Sequence, residues 1–279
     1  MMAAMQHGQP HHIHRHPALP WAELRVSRDS PHCYRLHMHA EYSIGIVDAG
    51  QARFQHASGG DAIQTGAVVL IEPGHWHACN PQHVRQWSYR MLYLQAEWLH
   101  QLTGMQAIRF AHRALHLPAI TQRVDQLCQP WPAHTNANLW VEQLEALLRQ
   151  PGLLQPGRDS EDRATPALDP LVEYALQQMH DQLEHQPDTA FNVQTLAHAV
   201  DLTPPQFIRR FKAATGVTPG AYRLQLRING ARRLLAQGAP LADAAHRMGF
   251  ADQSHLQRAF RDHHALTPGR YAQGSIAAM

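Results

Sequence analysis

The feature that most constrains the fold is a change of period part-way along the chain. Residues 22–93 consist of short apolar runs broken by turn signals. Residues 42–47 end at Asp48 and Gly50, residues 52–55 run into Ser58 and Gly59, and residues 67–71 stop at Pro73 and Gly74. Runs of this kind at near-regular spacing, without a helical period between them, predict an antiparallel sandwich or barrel. Beyond residue 95 the apolar positions recur every three or four residues, the period of an amphipathic helix. Two such blocks in 279 residues predict an α+β chain of two domains, at roughly 150 residues per domain.

The helical part is itself divided. Residues 96–103, 117–129 and 136–149 carry helical spacing. In the last of these Leu139, Gln143, Leu144, Leu147 and Leu148 form a stripe that suits either packing on its own domain or pairing with a second copy. Residues 151–168 hold Pro151, Pro156 and Pro166 with Gly152, Gly157 and mixed charge, the composition of an interdomain linker. Helical spacing then returns over 169–184, 192–200, 219–237, 241–248 and 252–263, and Thr203 before Pro204 marks another helix start. Short helix, tight turn and capped polar helix occur twice, at about 193–214 and 241–264. This is an internal repeat of helix-turn-helix type.

Charge separates the halves further. The net charge is only +2, yet residues 203–272 carry eleven Lys/Arg against Asp243, Asp252 and Asp262. A basic block in an otherwise acidic chain is the footprint of nucleic-acid binding. Cys33, Cys79 and Cys128 are too few and too scattered for a disulfide scaffold or a CxxC zinc module. No apolar run is long enough to span a bilayer and the N-terminus has no secretory h-region, so a cytoplasmic protein is expected.

In the second helix of each repeat, Phe207 and Phe211, then Leu256 and Phe260, stand four apart and mark a buried face. The other face offers Gln206, Arg209, Arg210 and Lys212 in the first helix, and Gln253, Ser254, His255, Gln257 and Arg258 in the second. From a helix in the major groove, arginine reads guanine and glutamine reads adenine bidentately, while lysine suits phosphate. These residues, with Leu196, Ala197, Thr215, Gly216, Pro219, Tyr222, Arg227, Met248, Gly249, Phe250, Pro268 and Tyr271, make the chain resemble the AraC/XylS family of bacterial transcription regulators. The resemblance covers most of residues 196–271. It implies two reading helices joined by the long helix 219–237, an effector-sensing domain upstream, and activation through contact with RNA polymerase. Pro205 stands where the family often contacts a base. Asp201 and Ala265 replace customary glycines, where a left-handed backbone is tolerated by Asp and costs Ala about 1 kcal/mol or more.

The N-terminal half is similar to the cupin-like domain that this family pairs with its DNA-binding module, on His37, His39, Glu41, Gly50, Gly66, Pro73, Gly74 and His77. A small β-barrel with an effector cavity is implied, followed by helices that form a homodimer. If residues 37–41 are extended, His37, His39 and Glu41 share one face, and buried polar groups need hydrogen bonds, a ligand or an ion. A carboxylate beside imidazoles favours a polar effector, anionic or zwitterionic. The same four side chains resemble a metal-binding cupin's ligands and could hold a divalent metal, although only one residue separates His39 from Glu41. No other cofactor is implied.

The expected organisation is a disordered His-rich tail (1–20), a cupin-like effector-binding and dimerisation domain (21–150), a linker (151–168) and a DNA-binding domain (169–275). The expected function is a non-enzymatic activator with double-stranded DNA, RNA polymerase and a small polar effector as partners, and no membrane. The alternatives are a metal-responsive regulator or a metal-dependent cupin enzyme. A DNA-repair methyltransferase fused to such a module would need clustered cysteines, which are absent from this sequence.

Overall fold

In the computed structural model the described residues are 10–56, 59–82, 87–155, 169–187 and 191–276. They divide into two compact units. The first takes the chain up to Tyr34, then His39–Gln155 and the residues from Gln273; the second takes Arg35–Met38 and the chain beyond Gln155 to Ala272. Among the described residues no helix is long and apolar enough to cross a membrane.

The first unit begins with β1 (His11–Arg15), β2 (Ala22–Ser27), β3 (Tyr42–Ala49), β4 (Gln51–His56), β5 (Gly59–Gln64), β6 (Val68–Ile71), β7 (His77–Pro81) and β8 (Ser88–Leu94). Helix α1 (Ala96–Thr103), strand β9 (Ala114–Leu115) and helices α2 (Pro118–Leu127) and α3 (Ala137–Leu148) follow. One sheet has the order β10-β1-β2-β8-β3-β6-β9, in which β10 (Ser275–Ile276) runs parallel to β1 and the other pairs are antiparallel. A second sheet has the order β5-β4-β7.

Strand alternation decides which face of the large sheet each side chain serves. Leu24, Val26, Tyr42, Ile44, Ile46, Val68, Leu70, Leu92 and Leu94 form one face, packed with Leu99, Ile120, Val124, Leu144 and Leu147 of the three helices. Each such aliphatic burial stabilises the unit by about 1.5–3 kcal/mol. The opposite face carries Arg25, Ser43, Tyr89 and Tyr93, which are also buried. Polar groups closed in on that side need partners, and there the chemistry lies.

Three expectations change. Residues 11–15 are a strand and not part of a disordered tail, because Ile13 is buried and the His11 ring lies 2.9 Å from Ser27 Oγ and 3.2 Å from Ser30 Oγ. His16 and Leu19 of that expected tail are buried as well, and residues 1–9 lie outside the described residues. The linker starts later than its prolines suggest: Leu153 is fully buried and Leu154 bridges Phe110, while residues 156–168 lie outside the described residues. In the leucine stripe, Leu144, Leu147 and Leu148 are core, while Gln143 and Leu139, the latter at 51%, stay exposed.

The second unit is helical: α4 (Pro170–His185), α5 (Val193–Ala199), α6 (Pro204–Thr215), α7 (Pro219–Ala236), α8 (Leu241–Arg247), α9 (Gln253–His264) and α10 (Pro268–Ala272). Capping residues punctuate it. Asn192, Thr218 and Asp252 accept backbone N–H bonds at the starts of α5, α7 and α9, and Thr203 forms a capping box with Gln206 at α6. The turn before α6 puts Asp201 at φ 54°, and α9 ends on Ala265 at φ 56°. Helix α7 packs against α4, α6, α8, α9 and α10 and so holds both repeats.

Candidate nucleic-acid interface and sensing site

Both repeats fold into short helix, turn and longer helix: α5 with α6, then α8 with α9. Phe207 and Phe211 bury one face of α6; Leu256, Ala259 and Phe260 bury the corresponding face of α9. Pro205, Gln206, Arg209 and Lys212 are exposed on α6, and Gln253, Ser254, Gln257 and Arg258 on α9. Aligned on Phe207 with Leu256 and on Phe211 with Phe260, Arg209 corresponds to Arg258 and Lys212 to the exposed Arg261. Neither Arg209 nor Arg258 holds an ion pair among the described residues, whereas Arg210 pairs with Asp169 at the start of α4.

Two of the expected readers are partly engaged. Gln206 Oε1 accepts from the Thr203 backbone N–H at 3.0 Å and from its hydroxyl at 2.7 Å, so its amide serves the cap. His255 is half-buried, its ring 5.2 Å from that of Phe250.

The chain bends at Ala40 and Glu41 before β3 starts at Tyr42, so residues 37–41 are not the extended segment that would aim three side chains one way. His39 and His77 come together in the first unit, both buried, while His37, also buried, belongs to the second unit. Glu41 is half-buried. The His39 ring lies 4.9 Å from both the His77 and the Tyr93 rings. Burial pushes the His77 pKa down to about 4, which keeps its imidazole neutral. Cys79, two residues on, is pushed up to about 12 by burial, so its thiol stays protonated and inert.

Sequence reasoning missed Arg25. It is 4% exposed; its Nη2 donates to Tyr34 Oη at 3.0 Å, and Tyr34 Oη lies 2.7 Å from Tyr89 Oη. The guanidinium also sits 5.6 Å from the centre of the Tyr34 ring. The available signal was Glu23, Arg25 and Ser27 alternating with Leu24 and Val26, a polar face on a strand of a domain with helices to spare.

The sequence matches the AraC-like ligand binding domain over residues 20–150 and a helix-turn-helix domain over residues 196–274. The HTH-type transcriptional regulator YbfI of Bacillus subtilis strain 168 is 25% identical over 232 residues, covering 79% of this chain and 80% of that protein. The arabinose operon regulatory protein of Escherichia coli K12 is 24% identical over 246 residues, covering 84% and 80%. ToxT from Vibrio cholerae O395 has the same fold at 10% identity, with a TM-score of 0.56 over 90% of this chain and 97% of its own. A ligand-binding domain followed by a DNA-binding pair of helix-turn-helix units, matched in order along the chain, makes this protein a member of the AraC family of transcription regulators.

Proposed function

We propose that this regulator is an activator that reads double-stranded DNA through α6 and α9, acts in the cytoplasm as a homodimer, contacts RNA polymerase and catalyses no reaction. The observation that carries this reading is the equivalence of Arg209 and Arg258, exposed at the same place on two similarly built helices. Replacing either with Ala should cost about 1–3 kcal/mol of specific binding and relax preference at one base pair. Lys212→Ala should weaken all sequences alike and lower the salt slope by about one charge. Footprinting at several salt concentrations separates these effects. Arginine variants that melt early while keeping the same base preference would defeat the recognition role.

The effector is a polar organic acid held in the first unit by Arg25 with the histidines His39 and His77. A guanidinium buried beside tyrosine hydroxyls suits a carboxylate, which it can hold bidentately. The neighbour ToxT has been solved with an unsaturated fatty acid bound, also a carboxylic acid. Calorimetry with paired carboxylic acids and their amides tests the reading: the acids should bind better to the natural chain and lose that advantage in Arg25→Gln. Equal binding of acid and amide would exclude an anion-selective site.

A further inference from the structure

We propose, on the reading that α6 enters the major groove, that Arg210 is a further phosphate contact which Asp169 withholds from DNA. One carboxylate then sets how tightly the protein holds any duplex. Both residues belong to the second unit, Asp169 at the start of α4 and Arg210 in the middle of α6.

Helical spacing gives Arg210 its place. At about 3.6 residues per turn, Pro205, Arg209 and Lys212 share one exposed stripe of α6, and Phe207 and Phe211 mark the opposite, buried one. Arg210 stands on the flank between them and is exposed. A helix lying in a major groove meets base edges with its central stripe and the phosphate walls with its flanks. In α9 the equivalent position is Ala259, which is buried. The extra cation is therefore a property of the first reading helix alone.

The acid that holds Arg210 is itself fixed. Asp169 Oδ2 accepts from Arg210 Nε, while Asp169 Oδ1 accepts the Leu171 backbone N–H at 3.1 Å and so caps α4. The positive end of the α4 dipole favours an anion at that position. The Asp169 side chain is 18% exposed and that of Arg210 50%, and among the described residues no other acid pairs with Arg210. A positioned carboxylate and a DNA phosphate compete for one guanidinium. While Asp169 holds it, the charge is neutralised within the protein and displaces no counterion from DNA.

The test is a salt titration of full-chain binding to one mixed-sequence duplex, read by fluorescence anisotropy. Asp169→Asn removes the charge but keeps a capping oxygen. It should steepen the dependence of log K on log salt by about 0.9 and tighten binding about eightfold at roughly 0.1 M salt. Asp169→Ser, a second neutral cap, should do the same. Arg210→Ala should leave the slope of the natural chain unchanged and abolish the whole gain when combined with Asp169→Asn. A gain that survives the loss of Arg210 is only the field of one missing carboxylate and overturns the proposal. A slope already lowered by Arg210→Ala alone makes the arginine a standing contact and overturns it too. Lys212→Ala on the same duplex separates this proposal from the placement of α6. A slope lowered by Lys212→Ala but unmoved by Asp169→Asn defeats the role of Asp169 alone. A slope unmoved by either defeats the placement of α6 on DNA and this role with it.

Discussion

His11 is a titratable ring enclosed by β2 and the turn after it. Burial pushes its pKa down to about 2, and the positive charge of Arg25 and the neighbours His32 and His12 work in the same direction. The ring is therefore uncharged in the folded chain, whereas in the unfolded chain it takes a proton below about pH 6.5. The unfolded state then binds more protons, so stability is intact above that pH and falls as pH drops toward 2, by about 1.4 kcal/mol per pH unit for this one group. Urea unfolding of the natural chain and His11→Asn between about pH 7 and pH 4 should show the variant's acid limb flatter by about one proton. At Ala265, φ 56° places a Cβ where glycine belongs, and Ala265→Gly should raise stability by about 1 kcal/mol in thermal melts. That position was legible in the sequence, because the family pattern asks for glycine there. Arg25 was not: alternation separates the two faces of β2 but cannot tell that both are covered.

At the scale of elements, the turn between α8 and α9 is the most demanding joint of the second repeat. Gly249 has φ +66°, and a Cβ there would collide with the Pro187 carbonyl oxygen, a backbone atom that cannot swing aside. Gly238 has φ +85° with open space around it. Gly249→Ala should therefore destabilise by several kcal/mol and weaken DNA binding, while Gly238→Ala should cost only about 1–2 kcal/mol. Chemical denaturation of the two variants side by side checks the difference; equal losses would remove the packing argument. The helices α1, α2, α3, α4 and α7 follow directly from apolar spacing, capping residues and proline starts. Strand β1 did not, since a run of histidines reads as solvated until Ser27 and Ser30 supply partners. The short β7 lacks alternation and was read only as the place of His77. The leucine stripe of α3 gave the helix correctly, but periodicity does not say whether a stripe faces its own sheet or another molecule.

For the whole molecule, basic charge concentrated in residues 203–272 and a separately packed first unit set how binding responds to truncation. A fragment beginning near residue 165 should bind operator DNA alone, and the full chain more tightly, because a dimer presents the second module at high local concentration. Sedimentation of the full chain at micromolar concentration checks the premise; a monomer would sink it. The α+β class, the order of the two units and the helix-turn-helix repeat were all readable from period and composition, since those are averages over many residues. The approach of the His39 ring to that of His77 was not, because it depends on where one strand starts. The parallel pairing of β10 with β1 bears on how the protein is made. On the ribosome, β1 to β9 emerge first, and Ser275 follows Leu115 only after the entire helical unit has been translated. At about 5–20 residues per second the β1 edge stands open for roughly ten to thirty seconds in every newly made chain. An open strand edge invites pairing with a neighbouring nascent chain. The exposed His12 and the charged Arg15 on β1 then act as guards during synthesis, and their protection is needed most when many ribosomes crowd one message.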